Sequence, residues 1–122
     1  MAVSVGAAQS YIEGVYGGPT EEVDYEYTLT TSATRVLSLD PERLAISLFN
    51  LGSNDVYLMF DELVSSSRGI LVFPGGGFWG VNVRDDQTLP TREWYALTTT
   101  GASDVLMITT RRFALTGPAP LD

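Results

Sequence analysis

The sequence predicts an all-β fold of about eight short antiparallel strands, arranged as a two-sheet sandwich or a jelly-roll-like barrel. In residues 43–50 and 55–61, large apolar residues recur at every second position, which is the two-residue period of a half-buried strand. Turn signals recur about every 8–12 residues. No segment after residue 24 sustains a helical period, so helices alternating with strands are not expected. The alternating segments place these residues in the core: Leu44, Ile46, Leu48, Val56, Leu58 and Phe60.

The predicted strands follow one another with turns or polar loops between them. Their ranges are 25–31, 33–39, 43–50, 55–61, 69–73, 78–83, 92–99 and 103–113. The run at 69–73 is almost continuously apolar, which predicts a strand buried on both sides. The glycine-rich break after it, residues 74–77, is predicted to be a turn. No helix follows the break, and no lysine or hydroxyl stands at the offset that a phosphate-binding loop requires.

The chain divides into three predicted parts around one domain. A length of 122 residues is enough for a single core of ordinary size. Residues 1–24 contain glycines and scattered apolar residues without a lasting period, which predicts an extended N-terminal arm. Residues 25–113 form the predicted β-sandwich domain, and residues 114–122 form an extended C-terminal tail.

Composition and charge narrow the classes of partner. Apolar residues make up 44% of the chain, which predicts an ordered globular protein. We expect no membrane span and no signal peptide, because the sequence contains neither a long apolar run nor a basic N-terminal region. The net charge of −8 argues against nucleic-acid binding, which needs a basic surface, and against an anionic membrane surface. It is compatible with a partner that carries a basic patch.

The residue types needed for most catalysis are missing. The chain contains no histidine and no cysteine, and its seven basic residues are all arginine. A serine or threonine nucleophile would lack its usual neighbouring base, and a Schiff base would lack its lysine. We therefore expect no enzymatic activity, no cofactor and no required metal ion.

Paired carboxylates and large aromatic residues are candidates for ligand binding, and each group also has a purely structural explanation. Asp61-Glu62 and Asp85-Asp86 could supply oxygen ligands to calcium, but they lack the spacing of a calcium loop and fit solvated loop charges. Trp79, Trp94 and Tyr95 could stack on sugars, or they could pack in the core or an interface.

The N-terminal region supplies the candidate partner-binding residues. Tyr11, Ile12, Val15 and Tyr16 are apolar or aromatic residues that could anchor the arm on a neighbouring subunit. Glu21, Glu22 and Asp24 belong to an acidic cluster near the first predicted strand. The cluster could meet arginines of a partner, or its charge could prevent an edge strand from pairing with other chains.

Three stretches of the chain, 33–62, 65–78 and 93–108, follow a recognisable order of strands and turns. The order begins with a Thr-Arg-Val-Leu strand, then an arginine-led strand that ends in Asn, and then a Gly-Ser turn. A Val-Tyr-Leu strand, a polar loop, a Gly-Ile strand and a glycine-rich turn come next. An aromatic strand and a final apolar strand complete the order. These elements occupy Thr34–Leu37, Arg43–Asn50, Gly52-Ser53, Val56–Leu58, Gly69–Leu71, Pro74–Gly77, Trp94–Leu97 and Val105–Ile108. The last strand departs from the pattern, because it is continuously apolar rather than alternating.

In this order the chain resembles small β-sandwich accessory virion proteins of tailed bacteriophages, of the capsid decoration or cement type. The resemblance implies a homotrimer that binds the major capsid protein or other virion subunits, located on the capsid surface after assembly in the host cytoplasm. A tail, baseplate or head–tail connector subunit is an alternative within the virion. A small carbohydrate-binding module that uses Trp79, Trp94 and Tyr95 is an alternative outside it.

Overall fold

A computed structural model describes residues 19–112 as eight strands in two four-stranded antiparallel sheets. The strands are β1 Thr20–Leu29, β2 Thr34–Leu37, β3 Arg43–Asn50, β4 Val56–Met59, β5 Ile70–Val72, β6 Gly77–Asn82, β7 Trp94–Thr98 and β8 Ser103–Arg112. One helical turn, Val83–Asp86, and a short 3-10 helix, Leu89–Thr91, connect β6 to β7. Within this part of the chain no helix is long and apolar enough to cross a membrane. The predicted all-β class is therefore confirmed.

The strand order is that of a jelly roll. The first sheet has the order β1-β8-β3-β6, and the second sheet has the order β2-β7-β4-β5. The first strand pairs with the eighth, the second with the seventh, the third with the sixth and the fourth with the fifth, as in two nested Greek keys. The sheets do not close into a barrel, so the sandwich is the predicted arrangement that forms.

The hydrophobic core lies between the two sheets. Ile46, Leu48, Val56 and Leu58 are buried, as the alternating pattern predicted. Trp94 is also buried, and its ring stands edge-on to Phe60, with ring centres 5.8 Å apart. Phe60 is only half-buried but packs against this core.

The start of β3 departs from the predicted alternation. Leu44 was predicted to lie in the core but is half-buried, whereas Arg43 is 3% exposed. The register of β3 against β8 shifts between Arg43 and Ala45, and this irregularity breaks the strict alternation. The Arg43 guanidinium donates to the carbonyl oxygens of Ser38, Pro90 and Arg92 at 2.8–3.3 Å. Its burial lowers the pKa of Arg43.

The prediction that 69–73 is buried on both sides is wrong. The strand in this region, β5, contains three residues and lies at the edge of the second sheet. Val72 is buried, but Leu71 and Phe73 are exposed. Each sheet of a two-sheet sandwich is covered on its inner face alone, so Val72 enters the core while Leu71 and Phe73 lie on the outer face of the second sheet.

The glycine-rich turn is confirmed. Gly75 and Gly76 have φ angles of 74° and 101°, a region of backbone conformation that favours glycine. The amide of Gly75 donates to the carbonyl of Gly52, and the amide of Gly76 donates to the carbonyl of Asn50. The turn is therefore hydrogen-bonded to the end of β3 and the turn that follows it.

Candidate functional site

The acidic residues of the N-terminal region lie inside the first strand. β1 begins at Thr20, five residues before the predicted strand start at position 25, and pairs with β8 along its whole length. Glu21, Glu22 and Asp24 therefore occupy ladder positions opposite Arg111, Thr110 and Ile108. The division of the chain into arm, domain and tail remains a prediction, because residues 1–18 and 113–122 lie outside the described part.

Glu21 has an internal partner. Its carboxylate accepts a hydrogen bond from Arg111 at 3.1 Å, and Arg111 also donates two bonds to the carboxylate of Asp40, at 2.9 and 3.2 Å. The bonds from Arg111 lower the pKa of Asp40, and the two carboxylates raise the pKa of Arg111. This group joins β1, β8 and the turn after β2, so it serves the fold.

We expect Asp40→Asn to lower the free energy of unfolding at pH 7 by about 1–2 kcal/mol, because it weakens hydrogen bonds to a charged group. A carboxyl group whose folded pKa is depressed stabilises the protein above its unfolded pKa of about 3.9, and this contribution disappears as the pH falls through the folded value. The difference between wild type and variant should therefore shrink from pH 6 to pH 2 in denaturant titrations. The control, Glu93→Gln, removes an exposed pair with Arg35 and should change stability little. A constant difference at every pH would contradict the assignment.

The side chains of Glu22 and Asp24 point away from the core, together with that of Glu26. The three residues are exposed and alternate with Val23 and Tyr25, which are half-buried. None of the three forms an ion pair with another residue in the range 19–112. We name this row of carboxylates on β1 the acidic column.

An apolar area lies beside the acidic column on the same outer face of the first sheet. The register of the strands places Glu26, Leu106, Phe49 and Phe78 side by side across β1, β8, β3 and β6. The rings of Phe49 and Phe78 contact each other, with centres 5.2 Å apart. Phe78 is 61% exposed. We name Phe49, Phe78, Leu106, Ile108 and Leu51 the outer apolar patch.

Leu51 extends this patch beyond the end of β3. It is 58% exposed, and its amide donates to the carbonyl of Asp104 at the start of β8. Leu51, Leu106 and Glu26 line an open depression together with Asp104 and Thr28. The hydroxyl of Thr28 donates to the carboxylate of Asp104 at 2.7 Å. The depression therefore joins the acidic column to the patch.

The sequence interpretation missed the outer apolar patch, although a signal for it was present. In β3, Phe49 occupies the opposite parity from the buried Ile46 and Leu48, so alternation alone directs its ring outward. Strand pairing, which the sequence does not supply, was needed to place Phe78 and Leu106 next to it.

The three aromatic residues considered for sugar binding do not form one exposed surface. Trp94 is buried, and the ring of Trp79 packs edge-on against it with centres 4.7 Å apart. Tyr95 follows Trp94 in β7, so its side chain leaves the opposite face of the second sheet. These three rings therefore do not form a shared platform on which a sugar could stack.

Three of the four paired carboxylates have protein partners, and Glu62 is exposed. Asp61 forms an ion pair with Arg68 and accepts a hydrogen bond from the amide of Leu63. Asp85 and Asp86 accept hydrogen bonds from Asn82 at the start of the helical turn. Within residues 19–112, no group of three or more carboxylates is arranged to hold a metal ion.

The predicted arm anchors Tyr11, Ile12, Val15 and Tyr16 lie outside the described residues. Their role in partner binding, and that of Glu21, Glu22 and Asp24, remains a prediction.

Comparison with known proteins gives a likeness of fold. No protein-family model matches the sequence, and no curated protein matches it. A solved structure from work on Bacillus endospore appendages, described as a family of disulfide-linked pili, aligns with a TM-score of 0.51 and 14% identity over 78% of this chain and 88% of the other. The major capsid protein of bacteriophage PM2 aligns with a TM-score of 0.39 and 10% identity over 82% of this chain and 48% of the other.

Proposed function

We propose that the chain is a structural subunit that decorates the capsid of a tailed bacteriophage and stabilises it through contacts with neighbouring subunits. The observation that carries this proposal is the outer face of the first sheet, where the outer apolar patch lies beside the acidic column. Contiguous exposed apolar residues on a small protein commonly mark a surface that binds another protein. Such a surface requires no catalytic residue.

Two further observations support the choice of a virion setting. The order of strands and turns in residues 33–62, 65–78 and 93–108 resembles that of accessory virion proteins, and jelly rolls occur in viral capsid domains. The structure that aligns with a TM-score of 0.51 comes from a family of disulfide-linked pili, so a protein of similar fold occurs in an assembled appendage. Because a fold hosts many functions, this support is by analogy.

The proposal is tested by locating the protein on phage particles. Particles that carry the encoding gene are purified, their proteins are identified by mass spectrometry, and the capsid is reconstructed by electron cryomicroscopy. We expect copies on the outside of the capsid lattice in contact with the major capsid protein, and a homotrimer in sedimentation of the isolated chain. Absence from the particle, or presence only in the tail or connector, would contradict capsid decoration.

The arm provides a more specific prediction. Deleting residues 1–18 should leave the melting temperature of the sandwich almost unchanged, because the cut precedes β1 and all of the core. Attachment to particles that lack the protein should fall at least tenfold, since the apolar anchors of the arm are lost. A full-length variant with Tyr11, Ile12, Val15 and Tyr16 replaced by alanine serves as the matched control for chain length. Undiminished attachment of the deletion variant would show that the arm does not anchor the protein.

A further inference from the structure

The outer face of the first sheet has an ordered arrangement of apolar and acidic residues. Across the strands, Glu26 is followed by Leu106, Phe49 and Phe78. In the neighbouring row, Asp24 is followed by Ile108, Ser47 and Gly80. Charge is therefore confined to the β1 side of these two rows, and in the first row apolar side chains extend from β8 to β6.

The acidic column is regular. Its carboxylates occur at every second residue of one strand, which separates their attachment points by about 6.8 Å at about 3.4 Å per residue. Like charges at this spacing repel each other, and no described residue offers them a cation. Arginine or lysine side chains from another molecule would relieve that repulsion.

Six of the chain's seven arginines contact other residues of the chain. Arg35, Arg68, Arg111 and Arg112 pair with Glu93, Asp61, Asp40 and Glu42, and Arg111 pairs with Glu21 as well. Arg43 is buried, and Arg92 lies over the ring of Phe60. Arg84 is exposed in the helical turn after β6, and it forms no ion pair with a described residue. Each copy of the chain also carries a net charge of −8. Charge complementarity on this face therefore favours a basic partner over a second copy.

The position of β1 at the edge of the sheet gives the carboxylates a second possible role. Charge on an edge strand discourages pairing with other chains. That role accounts for Glu22, Asp24 and Glu26, but it does not account for the exposed Phe78 and Leu51 on the same face. An apolar surface bordered by unpaired charge fits an interface with an apolar centre and a polar rim.

We infer that the outer face of the β1-β8-β3-β6 sheet docks a protein partner whose apolar side chains cover Phe78, Phe49 and Leu106 and whose arginines or lysines meet Glu22, Asp24 and Glu26. The inference rests on the proposed function, because both require that this face contacts another protein. It goes further by specifying which side chains that protein must present.

The test uses the full chain and a phage-displayed library of random twelve-residue peptides, selected near physiological salt. Enriched peptides are synthesised, their dissociation constants are measured by fluorescence anisotropy, and their contacts are mapped by ¹⁵N NMR. We expect enrichment of peptides that combine arginine or lysine with aliphatic or aromatic residues. Their NMR perturbations should centre on Phe78, Phe49, Leu106 and the acidic column.

Three variants separate specific docking from general attraction to an acidic protein. Phe78→Ala and the triple variant E22Q/D24N/E26Q should each weaken binding about tenfold or more, and added salt should weaken binding to wild type. The matched control D55N/E62Q/E93Q removes the same number of charges outside the first sheet and should bind almost as tightly as wild type.

Several outcomes would overturn the inference. They are the absence of binding peptides, equal loss of binding in both triple variants, and perturbations centred on the second sheet. A chain that sediments as a dimer and becomes monomeric in Phe78→Ala would assign the face to a second copy instead. None of these outcomes depends on finding the protein on a particle, so failure here is distinct from failure of the proposed function.

Discussion

Replacing Trp94 with alanine should lower the free energy of unfolding by about 3–5 kcal/mol, the range for removing a large aromatic side chain from a core. Trp94 is 1% exposed and lies against two other aromatic rings, Trp79 and Phe60. Its indole N–H donates to the carbonyl of Leu89 at 3.1 Å, which joins β7 to the 3-10 helix. The substitution therefore removes packing from both sheets and one of the two hydrogen bonds that the Leu89 carbonyl accepts, the other coming from the amide of Arg92.

Urea titrations followed by far-UV circular dichroism measure this effect without relying on tryptophan fluorescence. Trp94→Phe keeps a ring in the core but removes the bond to Leu89, so its cost should be clearly smaller. Phe73→Ala is the matched aromatic control, because Phe73 is 64% exposed, and it should cost less than about 1 kcal/mol. Similar losses for Trp94→Ala and Phe73→Ala would contradict the position assigned to Trp94.

Strand patterning predicted the fold well where one side of a strand faces the core and the other faces solvent. The predicted strand at 43–50 coincides with β3, and the alternating residues Ile46, Leu48, Val56 and Leu58 are buried. The prediction failed at Leu44 because the register shift that turns Arg43 inward depends on pairing with β8. A period of two cannot reveal such an irregularity, since it arises between strands that are distant in sequence.

The candidate site was less predictable than the fold, because neighbours across strands are set by topology. The sequence placed Glu21, Glu22 and Asp24 in one cluster, but alternation along β1 directs Glu21 toward Arg111 and Asp40 and directs the other two outward. The contact of Phe49 with Phe78 joins residues 29 positions apart, through the pairing of β3 with β6. The sequence showed the acidic residues and the apolar residues, but it did not show that the acidic column and the outer apolar patch share one face of a sheet.

We expect Asn50→Ala to destabilise the fold by about 2–4 kcal/mol, although the side chain is small and polar. Asn50 is fully buried, and its amide nitrogen donates to the carbonyls of Asn54 and Val72 at 2.8 and 3.0 Å. Its side-chain oxygen accepts from the Ser103 hydroxyl at 2.7 Å and from the Gly52 amide at 3.2 Å. These bonds join β3 in the first sheet to β5 in the second. Truncation leaves buried partners unsatisfied, at about 1–3 kcal/mol for each group.

Two variants distinguish this hydrogen-bond network from simple loss of volume. Asn50→Asp keeps the shape but replaces the donating amide with a carboxyl group, whose pKa is raised by burial. A raised folded pKa makes the charged form unfavourable, so this variant should lose stability as the pH rises above the unfolded value of about 3.9. Asn54→Ala removes two exposed bonds, one donated to the carbonyl of Ala102 and a longer one accepted from the hydroxyl of Thr100, and should cost less than about 1 kcal/mol. If Asn50→Ala costs no more than Asn54→Ala in urea titrations, the network does not hold the two sheets together at this end.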